Sequence, residues 1–94
     1  MSDAFRIFET DQFRKSLKKL RIPESGRIYQ KLTGPVYRQL RVNPFYGKNI
    51  KKLKDWTPEM RRYRVGNLRL FYTIDESERI VSIITIESRD KAYN

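Results

Sequence analysis

The chain has 94 residues and a mass of 11.4 kDa, which predicts a single domain over 1–94 with a thin core; roughly two thirds of its unfolded surface can be buried. It contains no histidine and no cysteine, which excludes disulfides, thiolate nucleophiles, imidazole bases and the usual zinc sites, so no metal and no cofactor is expected. A net charge of +10 and a pI of about 10.2 call for a polyanionic partner.

Phe5-Arg6-Ile7-Phe8-Glu9 is short and rich in β-formers and reads as a first strand. Thr10 then caps a helix over Asp11 to about Leu20, where Phe13, Leu17 and Leu20 recur at spacings of four and three and Arg14, Lys15, Lys18 and Lys19 fill the outer face. After a turn over 21–26, with Ser25 as the expected cap, Ile28, Leu32, Val36 and Leu40 mark a second helix. Pro35 inside it removes a backbone donor and predicts a kink near Lys31–Gly34 or two shorter helices.

Asn43-Pro44 and Gly47 end the helical region, and Lys48-Asn49-Ile50-Lys51-Lys52-Leu53-Lys54 reads as a basic connector. Trp56 and Tyr46 are expected to anchor the edge of the core, as large aromatics usually do. Beyond them the period changes to two, giving strands over Met60–Val65, Leu68–Ile74 and Arg79–Ile86 joined by short turns. The expected fold is α+β: two N-terminal helices packed on one face of an antiparallel sheet of about four strands, in the order β-α-α-β-β-β. No apolar run approaches the length of a membrane span, and the first residues lack the features of a secretory signal, so no membrane partner and a cytoplasmic location are expected.

If Gly66-Asn67 is a two-residue hairpin loop, Val65 pairs with Leu68, Arg64 with Arg69, Tyr63 with Leu70, Arg62 with Phe71 and Arg61 with Tyr72. One face then collects Tyr63, Val65, Leu68, Leu70 and Tyr72 for the helices to cover, and the other collects Arg62, Arg64, Arg69 and Phe71. Like charges opposite one another on a sheet repel, so this grouping costs stability unless an anion sits among the guanidiniums. A solvated arginine face neutralised by nearby carboxylates is the plain alternative. Guanidinium forks bind phosphate bidentately and Phe71 or Tyr93 can stack on a base, while Lys51, Lys52 and Lys54 can follow the backbone, which makes RNA the candidate ligand.

The segment Arg61-Arg62-Tyr63-Arg64-Val65-Gly66-Asn67-Leu68-Arg69-Leu70-Phe71-Tyr72, followed by Ile83 through Tyr93 and preceded by Asn43-Pro44 and Ile50-Lys51-Lys52-Leu53-Lys54, resembles the RelE branch of the RelE/ParE toxin superfamily. The resemblance implies a prokaryotic type II toxin that cuts mRNA, usually in the ribosomal decoding site, and is held inactive by a cognate acidic antitoxin. It implies that Arg69 contacts the scissile phosphate, that Arg62 and Arg64 hold the basic positions on the preceding strand, and that Arg89 and Tyr93 complete the site. Lysines stand at the Arg62 and Arg64 positions in the best-known pattern, so no lysine base is available there.

Metal-independent RNA cleavage proceeds by 2′-OH attack on the adjacent phosphate and needs a base, charge stabilisation and help for the leaving 5′-oxygen. Arginine meets the second need but stays protonated to about pH 12, which leaves Tyr93, Lys52, Lys54 or Glu87 as the base, with Tyr93 preferred because neighbouring cations favour its phenolate. The catalytic set is therefore Arg62, Arg64, Arg69, Arg89 and Tyr93. A ParE-like inhibitor of DNA gyrase and a non-catalytic RNA-binding module are the rival readings.

Overall fold

The computed structural model describes residues 4–88. In chain order these form β1 (Arg6–Glu9), α1 (Asp11–Lys19), α2 (Arg27–Lys31), a π-helical segment (Leu32–Val36), α3 (Tyr37–Val42), β2 (Ile50–Lys52), β3 (Met60–Val65), β4 (Leu68–Asp75) and β5 (Ile80–Ser88). The five strands make one sheet in the order β1-β5-β4-β3-β2, antiparallel except where β1 runs parallel to β5.

Thr10 caps α1 as expected, its Oγ1 accepting from the Phe13 amide at 3.1 Å. The same hydroxyl donates to the Ile83 carbonyl at 2.7 Å, fastening the helix start to β5. Farther along, where β1 no longer covers that side of β5, the Ile86 amide donates to Ser16 Oγ at 3.0 Å, so a helix side chain satisfies a strand donor that has no strand partner. Phe13 and Leu17 are fully enclosed between α1 and the sheet; burial of this kind is worth about 1.5–3 kcal/mol per side chain.

The second helical stretch is interrupted at Pro35, inside the region where the sequence predicts a break, by a π-helical turn. The helix passes through Leu32–Val36 with a π-helical turn and continues as α3. Widening the turn moves the preceding carbonyl away from the proline ring, so the missing donor is absorbed without ending the helix. Its cap is Gly26 and not Ser25; a Cβ at Gly26 would stand 3.0 Å from the Pro23 ring, an approach that selects glycine.

Three further expectations are corrected. The sheet has five strands rather than about four, because part of the 48–54 connector pairs with β3 as β2. A three-residue, Lys-rich edge strand carries no alternating apolar pattern, and such charge is how edge strands resist pairing with another chain. Trp56 and Tyr46 are 56% and 77% exposed, so neither is the buried anchor expected. Trp56 lies in the loop between β2 and β3, beyond the end of the edge strand. Ile28, placed on the apolar stripe of the second helix, is exposed as well.

The core lies between the helices and one face of the sheet, built from Phe5, Phe13, Leu17, Leu32, Val36, Tyr37 and Leu40 against Tyr63, Val65, Leu70, Tyr72, Val81, Ile83 and Ile86. Buried tyrosines keep partners: Tyr72 Oη donates to the Pro44 carbonyl at 2.7 Å, and Tyr63 Oη donates to Gln39 Oε1 at 3.0 Å.

Candidate nucleic-acid interface

The hairpin between β3 and β4 has the register the strand faces required: Arg64 opposite Arg69, Tyr63 opposite Leu70, Arg62 opposite Phe71 and Arg61 opposite Tyr72. Gly66 takes φ +58 at the first loop position, the left-handed conformation a tight hairpin turn needs there. On β5 the register slips between Phe71 and Tyr72, leaving Ile84 without a partner. The bulge shifts the buried phase of β5 from Val81 and Ile83 to Ile86, and it sets Thr85 opposite Phe71 and Glu87 opposite Arg69. The doublet Ile83-Ile84, which breaks the period of two, is the sequence signal for it.

Rows of side chains cross the open face of the sheet. One row is Lys51, Arg62, Phe71 and Thr85; the next is Arg64, Arg69 and Glu87. Strands lie about 4.8 Å apart, so Arg62, Arg64 and Arg69 neighbour one half-buried phenyl ring in the register, with Lys51 one strand farther out. In the opposite direction the face becomes neutral, with Met60, Thr73, Ser82 and the exposed Phe8 in register.

Ion pairs among the described residues join Arg14 to Glu9 and Glu24, and Glu59 to Lys52 and Arg61. None reaches Lys51, Arg62, Arg64 or Arg69. Burial holds the Arg62 guanidinium below its ordinary pKa, and the charges of Arg64 and Arg69 add to that effect. The three groups thus feel one another directly, and an anion between them relieves both the crowding of charge and the incomplete hydration.

The remaining site residues separate. Phe71 and Lys51 share the arginine face, whereas Lys52, of opposite parity on β2, extends to Glu59 with Nζ–Oε2 at 2.6 Å. Lys54 lies beyond the strand in the loop that also carries Trp56. Arg89 and Tyr93 fall outside the described residues. Arg61, a residue with no role assigned from sequence, is 8% exposed on the covered face, paired with Glu59 at 3.1 Å and stacked over Phe45 at 5.2 Å.

The model of the ParE toxin of type II toxin–antitoxin systems matches residues 7–93. The chain belongs to this toxin family. It therefore falls within the RelE/ParE superfamily that its strand motif resembles, although the matching model is that of the ParE branch. No match is found among curated proteins. Solved structures with the same fold include the RelBE2 toxin–antitoxin complex of Mycobacterium tuberculosis, 23% identical with a TM-score of 0.72 over 92% of this chain and 99% of that one. The archaeal RelE–RelB complex of Pyrococcus horikoshii is 19% identical, with a TM-score of 0.71 over 92% and 96%. The free E. coli toxin RelE, in a variant with two arginines changed to alanine, is 16% identical, with a TM-score of 0.66 over 96% and 88%.

Proposed function

We propose that this ParE-family toxin is an endoribonuclease that cleaves mRNA, in the ribosomal A site, by attack of a 2′-OH on the adjacent phosphate. The observation that carries the reading is the open face itself: Arg62, Arg64 and Arg69 converge beside Phe71 with no carboxylate ion-paired to any of them among the described residues.

Arg69, central in the sheet, clamps the scissile phosphate, and Arg62 and Arg64 stabilise the charge that grows on the phosphorane-like transition state. Phe71, between Arg62 and Thr85, supports an unstacked base. Attack by the 2′-oxygen forms the new P–O bond, the bond to the 5′-oxygen breaks with that oxygen taking a proton from water, and a 2′,3′-cyclic phosphate and a 5′-hydroxyl remain. Tyr93 is the proposed base for the 2′-OH proton, and Arg89 the further basic residue of the set, both on the resemblance alone. Glu87, across from Arg69 on the same face, is the second candidate for the base. Lys52 is the weakest of the bases named from sequence, because its ammonium is engaged by Glu59. The partners in this reading are mRNA, the ribosome and a cognate acidic antitoxin; the RelBE2 and archaeal RelE–RelB structures are toxin–antitoxin complexes of this fold. The charge of +10 suits an acidic inhibitor.

Inhibition of DNA gyrase is the second reading, favoured by the match to the ParE model. The two separate in one experiment. Purified protein added to translating ribosomes is expected to create new mRNA 5′ ends inside codons, and to leave gyrase supercoiling unaffected. Supercoiling inhibition without mRNA cuts would reverse the assignment.

A further inference from the structure

Trp56 leaves more than half of its surface in water, although an indole is among the largest apolar groups the core could have used. Resting on the RNA reading of the open face, we infer that Trp56 is a stacking platform for an unpaired base, at the end of the RNA track opposite the Arg64 and Arg69 row.

Position supports this first. The Leu53 amide donates to the Met60 carbonyl at 2.9 Å, closing the β2–β3 ladder, and residues 54–59 form the tip beyond it. Met60 stands two residues from Arg62 on the same open face, about 7 Å along the strand at ~3.4 Å per residue. A strand of RNA gripped at Arg69, Arg62 and Lys51 therefore runs on toward the hairpin tip.

The surroundings of the indole select the ligand. Lys52, Leu53, Lys54, Asp55 and Glu59 line the shallow depression at Trp56. Protein-binding hot spots sit in apolar centres depleted of charge, whereas single-strand platforms combine an aromatic ring with a cation that holds a phosphate; with Lys52 held by Glu59, that cation here is Lys54. Lys54 forms no ion pair among the described residues, so its ammonium is available to a phosphate. Asp55, at φ +62, turns the backbone between Lys54 and Trp56.

Trp56 is the only tryptophan, so its fluorescence reports the contact directly. The probe is a short single-stranded RNA with 2′-O-methyl riboses, which binds without being cut, labelled at one end for anisotropy. Titration at low salt is expected to quench Trp56 emission in step with the rise in anisotropy. Trp56→Ala is expected to weaken affinity about ten-fold and Trp56→Phe to restore most of it, both with an unchanged thermal midpoint. Binding with unaltered emission, and equal affinity of Trp56→Ala, would overturn the stacking role while leaving the RNA reading intact. Absence of binding by the wild type at low salt would remove both. Quenching only by an acidic protein, and not by the RNA, would reassign the indole to a protein interface and equally overturn the inference.

Discussion

Arg61 and Arg62 are consecutive residues of β3, and the pleat sends them to opposite faces of the sheet. Arg61 goes to the covered side, where Glu59 neutralises it and its guanidinium lies over the Phe45 ring. Arg62 goes to the open side, where burial disfavours its ionised form and the charges of Arg64 and Arg69 add to that effect. The first arrangement gives a cation a carboxylate and a ring from the protein itself; the second concentrates cations, with Glu87 in register opposite Arg69 but no ion pair to any of the three arginines among the described residues. The same residue type is thus structural on one face and ligand-seeking on the other, and only the strand register distinguishes them.

Substitution on the two faces is expected to separate activity from stability. Arg69→Ala should lower cleavage of ribosome-bound mRNA by about 100- to 1000-fold, the usual loss when a transition-state donor is removed, with no change in urea midpoint. Arg61→Ala should do the reverse: a loss of roughly 1–3 kcal/mol in urea unfolding, from forfeited packing and the stacking on Phe45, and unaltered cleavage once folded. An Arg69→Ala protein that unfolds, or an Arg61→Ala protein that is folded but inert, would break the distinction between the faces.

How much of the fold and the site is legible in the sequence depends on whether a residue's neighbours are local. The β3–β4 register can be read because a two-residue loop with Gly66 leaves little choice of pairing, and the arginine grouping follows from it. Thr10 and the α1 stripe are equally local. β2 escapes such a reading because an edge strand is recognised by its partner and not by its own Lys-rich composition. The position of Glu87 opposite Arg69 depends on a bulge at Ile84, and the exposure of Trp56 on what fails to cover a hairpin tip; both are properties of the assembled sheet. Arg89 and Tyr93 rest on resemblance alone, outside the described residues.

Alkaline pH offers a test confined to the covered side. Tyr29 and Tyr37 donate to the Glu9 carboxylate, at 2.9 Å and 2.7 Å to Oε2, and Tyr72 is enclosed in the core. Burial, followed by the hydrogen bond to Glu9, pushes Tyr29 up to about 12 and raises Tyr37 further; burial also raises Tyr72. Above pH 10 the unfolded chain loses phenolic protons that the folded chain retains, so the native state binds more protons and stability falls as pH rises. Urea midpoints should decline from pH 10 to about 12. Tyr29→Phe should flatten part of that decline, and Arg62→Gln should not. An undiminished slope in Tyr29→Phe would show that Glu9 and Tyr29 are not coupled in solution.

The smallest expected effect is the most discriminating, because its sign differs from that of most substitutions. Arg64 faces Arg69 directly, with Arg62 two residues away on the same side, and no described carboxylate is paired with any of them. Directly opposed like charges on a sheet cost about 0.2–1 kcal/mol. Arg64→Gln keeps much of the length and polarity of the side chain while removing that repulsion, so it should stabilise the protein by about this amount in urea unfolding. It should also weaken RNA binding and reduce the log–log salt slope by about 0.7, the value expected when one phosphate fewer is neutralised on a single strand. An arginine face neutralised by nearby carboxylates predicts no gain in stability, and one that binds no nucleic acid predicts no change in slope. The gain should vanish when unfolding is measured in the presence of a saturating polyanion, since the anion already offsets the repulsion that the substitution removes.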